Sequence, residues 1–268
     1  MKKLAITLVI VFALLVGADF AAAAFTERQV ATEVGKQLKV QQDPDVSING
    51  FPFLTQAAAG NLRDVQLAAK SAQVGELQDV DLEADLHSAR FTPSEVIAGN
   101  ANDLAVDNMV ARVKLKSSDV GRLIGVQDLA INPAPEDALD GTDGTSGQND
   151  QAGTGQSGDQ TSTAVALDGT VNIAGSQNKV SVVAVLALVD GKLQIEPKKL
   201  GLDNDSFGQI ALPSAFEEAI LSQFKTTLDP GMLPFEITPT GVRAERGALV
   251  AEGSADNIKV SQDGVTTG

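Results

Sequence analysis

The sequence has no cysteine, tryptophan or tyrosine and a single histidine, His87. Without cysteine there can be no disulfide, thiolate zinc site, cysteine nucleophile or lipidated N-terminal cysteine. Any histidine-based catalysis has to run through His87. Positive charge is also scarce: 20 Lys and Arg stand against 35 Asp and Glu in 268 residues, a net charge of −15. A chain this acidic repels polyphosphate backbones, so nucleic acid is not an expected partner. Phenylalanine supplies all 10 aromatic residues. These absences argue against most catalytic classes. The length leaves room for one large domain or two small ones with a sizeable core.

The N-terminal residues form the one long apolar run. Lys2 and Lys3 precede Leu4 to Ala18, Asp19 interrupts, and Ala21 to Ala24 follow. A basic start, an apolar middle and small residues make a secretory signal, with Ala22 and Ala24 as the cleavage pair. Kept instead as a helix, Leu4 to Ala24 spans about 30 Å at about 1.5 Å per residue, enough to cross a bilayer. Asp19 then lies near the outer interface, where a charge costs less than at the centre. The positive-inside rule keeps Lys2 and Lys3 in the cytoplasm and sends the chain from Phe25 outward. Residues 1–24 are therefore read as signal or anchor. Residues 25–260 are read as one extracytoplasmic domain, secreted or membrane-anchored.

Periodicity in that domain is mostly that of strands. Val30, Val34 and Leu38 extend the N-terminal helix until Asp43-Pro44-Asp45 stops it. Val46 to Phe53 is expected to be extended, with a break at Gly50 and Pro52, and Leu62 to Ala72 to be a strand. Val80, Leu82, Ala84 and Leu86 alternate with Asp79, Asp81, Glu83, Asp85 and His87, giving one apolar and one wet face. Thr92-Pro93-Ser94-Glu95 has the cap, proline and glutamate of a helix start. In Leu104 to Lys116, Leu104 and Val106 are out of phase with Met109, Ala111, Val113 and Leu115, which predicts a bulge or bend near Asn108. Ser117 or Ser118 caps a short helix carrying Val120, Leu123 and Ile124.

Residues 133–163 are rich in Gly, Asp, Gln, Ser and Thr and hold one large apolar residue, Leu139. Such a segment buries too little to offset its ordering entropy, and is read as a disordered acidic insertion. Strands resume with Val165, Leu167, Val171 and Ile173. Val180 to Val189 is apolar on both faces and is expected to be covered on both. Leu193 and Ile195 follow a turn at Asp190-Gly191. Pro213 to Phe224 reads as a helix with Phe216, Ile220 and Phe224 on one stripe. Leu233 to Ala244 and Leu249 to Val260 complete the strands, and residues 261–268 are expected to fray. The periodicity gives an α+β fold class, mostly strands with a few short helices, behind an N-terminal hydrophobic helix.

Catalytic and metal motifs fail on context. Gly153 to Gly158 matches G-x-G-x-x-G but lies in the insertion, with no strand before it and no helix after it. Asp203 to Gly208 begins like a calcium loop, yet Phe207 holds a ligand position and Ser214 stands where the bidentate glutamate belongs. The carboxylates of Asp79, Asp81, Glu83 and Asp85 repeat about every 6.5–7 Å, which suits a solvated face better than one coordination sphere. No metal site and no cofactor are expected. His87 has no G-x-S-x-G elbow to serve, so no enzyme activity is expected. A carboxylate-dependent envelope hydrolase stays open, because the spacing of acid pairs is not visible in a sequence.

Phe51, Phe53, Leu54, Phe91, Phe207, Phe216, Phe224 and Phe235 carry most of the aromatic and flanking apolar mass, and some of them can line an apolar groove. The segment Asn49-Gly50-Phe51-Pro52-Phe53-Leu54-Thr55-Gln56 resembles the signature of the LmeA-like phospholipid-binding proteins of actinobacterial cell envelopes. In order along the chain, the Ala18-Asp19 junction, Arg90 to Val96, Asp190 to Pro197, and Leu233-Pro234-Phe235 support it. The likeness runs to about Val260 and skips the insertion. It implies a periplasmic or otherwise extracytoplasmic lipid binder, with a fold that resembles tubular lipid-binding domains: a curved, mostly antiparallel sheet wrapped on amphipathic helices. It also implies a role in envelope glycolipid or mannan assembly. Phospholipid or a related lipid, the membrane, and an envelope-biosynthesis protein are the implied partners. On that basis the lipid-binding candidates are Phe51, Phe53, Leu54, Phe91, Phe216, Ile220, Phe224 and Phe235. The alternative is a membrane-tethered β-rich interaction module that holds no lipid.

Overall fold

The structure, a computed structural model, describes residues 2–38, 40, 42–74, 77–94, 104–126, 128–134, 138, 161–173, 176–189, 192–202, 214–228, 238–261 and 264–267. In chain order the elements are α1 (Lys2–Leu38), β1 (Asp45–Asn49), α2 (Phe53–Ala59), β2 (Asn61–Val74), β3 (Leu77–Phe91), β4 (Leu104–Lys116), α3 (Ser117–Ile124) and β5 (Ala130–Pro133). Then follow β6 (Ser162–Ile173), β7 (Ser176–Val189), β8 (Lys192–Leu202), α4 (Ser214–Phe224), β9 (Thr226–Leu228), β10 (Thr238–Glu245), β11 (Ala248–Ser261) and β12 (Gly264–Thr267). The fold is α+β, as the periodicity predicts.

The strands divide into two antiparallel sheets, neither closed into a barrel. Sheet 1 runs β1-β2-β3-β4-β11-β10, with β12 paired to the far part of β11, and sheet 2 runs β5-β6-β7-β8-β9. Between them lies the main core. Val80, Leu115, Val242 and Leu249 come from sheet 1, and Val165, Leu167, Val182, Leu186 and Ile195 from sheet 2. Val120 and Ile124 of α3 and Ile220 and Phe224 of α4 close its ends.

The phase slip read at Asn108 extends across four strands. Apolar residues of the second cluster change parity at Leu62/Val65, Leu86/Ala89, Val106/Met109 and Ala255/Ile258. The two residues between each pair are polar: Arg63-Asp64, His87-Ser88, Asp107-Asn108 and Asp256-Asn257. No residue is inserted, because His87 pairs with Asn108 and Ala89 with Val106 in one register. The sheet bends instead, with Ser88 (φ 56°) and Asn257 (φ 51°) in the left-handed region where short polar side chains are tolerated. A true bulge sits lower in β2, where the register shifts between Ala69 and Ala72 and Ser71 takes φ 54°.

The outer face of sheet 1 is a lattice of ion pairs. The acidic row of β3 meets the basic row of β4. Lys116 Nζ lies 2.6 Å from Asp79 Oδ1 and 3.0 Å from Asp81 Oδ1, and Arg112 lies 2.9 Å from Asp85 Oδ2 and 2.8 Å from Glu252 Oε2. Lys114 reaches Glu245 at 2.7 Å. The hydrogen bond from Lys116, then that from Ser71, holds the Asp79 carboxyl below the usual range. Lys114 does the same for Glu245. Their folded values lie below the unfolded ones, so this stabilisation is present above the ordinary carboxylate range and is lost as pH falls through the folded values. Lys116 moves the other way. Burial alone would lower its value, and the hydrogen bonds to Asp79 and Asp81 outweigh burial and raise it. Its share is present below the ordinary lysine range and is lost in strong alkali. Thermal melts should therefore show a plateau across neutral pH and a fall in Tm below about pH 4 that Lys116→Met reduces.

Four expectations meet a different arrangement. Phe53 opens a helix rather than ending an extended segment. In β7 only the face of Val180, Val182, Ala184 and Leu186 is buried, while Val183, Val185 and Ala187 are partly exposed and Val189 is exposed. The edges of the acidic segment are strand: Pro133 pairs with Val165, and Ser162 and Thr163 pair with Ala187 and Leu186. Residues 264–267 are not frayed but paired, with Val265 opposite Val260. The rest of the insertion, the calcium-like loop at 203–213, the helix beyond Ser94, Phe207 and Phe235 lie outside the described residues.

Candidate functional site

The octapeptide Asn49 to Gln56 forms an elbow between β1 and α2, and each residue has a local task. Asn49 Nδ2 donates to Asp64 Oδ1 at 2.7 Å, joining the elbow to β2. Gly50 takes φ 106°, with the Gln56 amide where a Cβ would point. Gln56 is buried: its Nε2 donates to the Gly50 carbonyl at 2.6 Å, and its Oε1 accepts from Arg63 N at 3.1 Å. The Phe51-Pro52 peptide is cis. Thr55 Oγ1 closes the first turn of α2 onto the Pro52 carbonyl at 2.8 Å.

No side chain of the elbow caps α2. The cap comes from α1. Asp19 Oδ2 accepts from Phe53 N at 2.8 Å and Asp19 Oδ1 from Leu54 N at 2.7 Å. The carboxylate is only 5% exposed and satisfies two free N–H groups of the helix start. Glu27, two turns on, accepts from Ile48 N at 2.8 Å. Together these bonds dock α1 from Asp19 onward along β1 and α2. Before Asp19 the helix is bare: Ile6, Leu8, Val9, Ile10, Val11, Phe12, Leu14 and Leu15 are all exposed. It is long and apolar enough to cross a membrane.

The seven apolar candidates among the described residues fall into two places. Phe51 (56% exposed) stacks on Phe20 of α1, ring centroids 6.1 Å apart, and Leu54 beside it is exposed. Phe53 is buried beneath them. Phe91 is half-buried at the end of β3, where its N–H bonds to the carbonyl of Gly60, the C-cap of α2. The elbow candidates thus share one end of sheet 1. On α4 the stripe is split: Ile220 and Phe224 are core residues of the inter-sheet cluster, whereas Phe216 is 45% exposed.

Sequence reasoning passed over small residues. On the inner face of sheet 1, Ala84 of β3 pairs with Ala111 of β4, and Ala111 pairs with Gly253 of β11. This row adjoins the main core and joins a second apolar cluster, in which Ala84 and Ala111 pack with Leu62, Val65, Leu86, Ala89, Leu104, Val106, Met109, Ala255 and Ile258. Every described member of that second cluster comes from sheet 1 itself. It occupies the end of the sheet nearest the elbow. Ala84 and Ala111 sit in the apolar phase of their strands, which is the signal that marks them, but nothing in either strand alone aligns them.

The polar side offers little chemistry. His87 Nδ1 lies 3.3 Å from Asp64 Oδ2, and Asn108 Nδ2 donates to Asp256 Oδ1 at 2.8 Å. With Asn49 these residues make a polar ladder along the outside of the bend. Among the described residues no group of three or more His, Asp or Glu side chains is placed to hold a metal ion.

An open, two-sheet α+β domain latched to an apolar helix, with an apolar sheet face at the helix end, is the class that fold and site define. The chain belongs to the LmeA-like phospholipid-binding family, whose profile matches residues 17–254. That match begins before Asp19 and so includes the latch. No curated protein and no solved structure matches the chain.

Proposed function

We propose that this protein is an extracytoplasmic phospholipid-binding protein that holds acyl chains against the inner face of sheet 1, over the row Ala84-Ala111-Gly253. Membership of the phospholipid-binding family supports lipid as the ligand. The row of small residues, at the edge of the second apolar cluster beside the main core, supports this placement. Burying hydrocarbon contributes about 0.8 kcal/mol per CH₂, so a chain of modest length holds firmly without any charged contact. The elbow candidates Phe51, Phe53, Leu54 and Phe91 flank the open end of this face. Phe216, exposed on α4, and Phe235 are the remaining proposed wall residues.

No covalent step is required. His87 lies against Asp64, and acids of the outer face are paired with Lys114, Lys116 and Arg112, which supports a structural role for them. The protein is read as a carrier or presenter of lipid in the assembly of envelope glycolipid or mannan, and not as an enzyme. Mass spectrometry of an organic extract of the purified full-length protein tests this, together with uptake of labelled phospholipid from liposomes. About one phospholipid per chain is expected. Repeated absence of lipid, with no uptake, would replace this reading with a tethered interaction module.

A further inference from the structure

We infer that the elbow Phe51-Pro52-Phe53-Leu54, together with Phe20, is a membrane-docking element that sits in the leaflet where α1 leaves the bilayer. The inference rests on the proposed extracytoplasmic placement with α1 retained as a membrane anchor, and is independent of what the sheet carries.

The argument begins with depth. With Lys2 and Lys3 at one interface, Leu4 to Ala24 at about 1.5 Å per residue covers about 30 Å, the thickness of the hydrocarbon core. Asp19 and Phe20 then lie about 6–8 Å inside the opposite boundary, the depth at which interfacial apolar groups bury. The folded domain is not tied on below this point by a loose linker. It is latched at Asp19 itself, through Phe53 N and Leu54 N at 2.8 and 2.7 Å. Whatever depth Asp19 has, the elbow shares.

The side chains there suit that depth. Phe20 is 64% exposed, and Phe51 and Leu54 are exposed beside it, in a chain whose net charge is −15. Their exposed apolar surface continues that of Ile6 to Leu15 on the same helix. An aspartate in this position would be costly if it faced lipid. Here both carboxylate oxygens are occupied and covered, so the group that interrupts the apolar run is the one that fixes the domain to it. One consequence is orientation. The second apolar cluster, with Leu62, Ala89, Leu104, Val106 and Ile258, is held toward the lipid surface.

The absence of tryptophan supplies the test. The full chain carrying Phe51→Trp is reconstituted through α1 into phosphatidylcholine–phosphatidylglycerol vesicles, and a Leu123→Trp chain is the reference. Leu123 is exposed on α3, which follows the opposite end of β4 from the elbow. The Phe51→Trp emission should be blue-shifted, and brominated acyl chains should remove about half of it or more, while Leu123→Trp keeps its emission and is quenched by aqueous iodide. Iodide quenching of both chains alike would overturn the inference. So would a blue shift without bromolipid quenching, which would mean that protein, such as a second copy of this chain, covers the elbow. N-terminal sequencing of the mature chain should find Asp19 present. Cleavage after Ala24 would remove both Asp19 and Phe20 and end the inference, while leaving lipid extraction free to succeed or fail by itself.

Discussion

Ala111→Phe is expected to strip the purified protein of most of the phospholipid proposed to lie on sheet 1, and to leave its circular dichroism spectrum and its two sheets in place. Ala111 sits midway across the inner face of sheet 1, flanked by Ala84 and Gly253, and is only partly buried. A phenyl ring there occupies the space assigned to hydrocarbon. If the ring displaces about three methylenes at about 0.8 kcal/mol each, binding weakens by about 2.4 kcal/mol, or roughly fiftyfold. The measurement is the lipid-to-protein ratio in an organic extract, with liposome uptake as a second reading. Because an added ring can overpack a site, Ala84→Phe, in the neighbouring strand, is the companion variant. An unchanged ratio in both folded variants would show that acyl chains do not lie over this row.

The bend that shapes this face shows what a sequence discloses and what it withholds. The slip between Val106 and Met109 is visible in β4 alone, and it correctly marks a departure from flat pleating near Asn108. That the same apolar-polar-polar-apolar step recurs at Leu62, Leu86 and Ala255 becomes meaningful only when those strands are aligned. The alignment of β4 with β11 joins Asn108 to Asp256 across most of the chain. The division into two sheets is hidden for the same reason, since period-2 alternation says which face is apolar but not which neighbour covers it. Charge was more legible. The alternating acids of β3 and bases of β4 predict wet faces, and antiparallel pairing turns those faces toward each other as ion pairs.

The elbow was recognisable as a motif and opaque as a structure. A seven-residue helix is too short to persist alone in water, so propensity gives it no weight. It forms because a carboxylate 34 positions earlier caps it and because Gly60 ends it in the left-handed region, where its backbone packs close to the Phe91 carbonyl. Asp19 read by itself is a flaw in an apolar run. Only the fold turns it into the link between that run and the domain.

Phe224→Ala should cost about 3–5 kcal/mol of stability, whereas Phe216→Ala, on the same helical stripe, should stay within about 0.5 kcal/mol. The i, i+4, i+8 spacing of Phe216, Ile220 and Phe224 makes the three equivalent on paper. The helix enters the core at an incline, and burial grows along it. Phe216 is largely in solvent, Ile220 is enclosed, and Phe224 is 0% exposed among core residues of both sheets. Truncating Phe224 opens a cavity in rigid surroundings, and truncating Phe216 removes a ring that contributes little to the folded state. Denaturant unfolding of both variants measures the difference. Equal losses would mean that α4 lies flat with its whole stripe covered. A stable Phe216→Ala protein with depleted lipid would keep Phe216 as part of the groove wall, and would separate that role from the packing role of its neighbours on the same face.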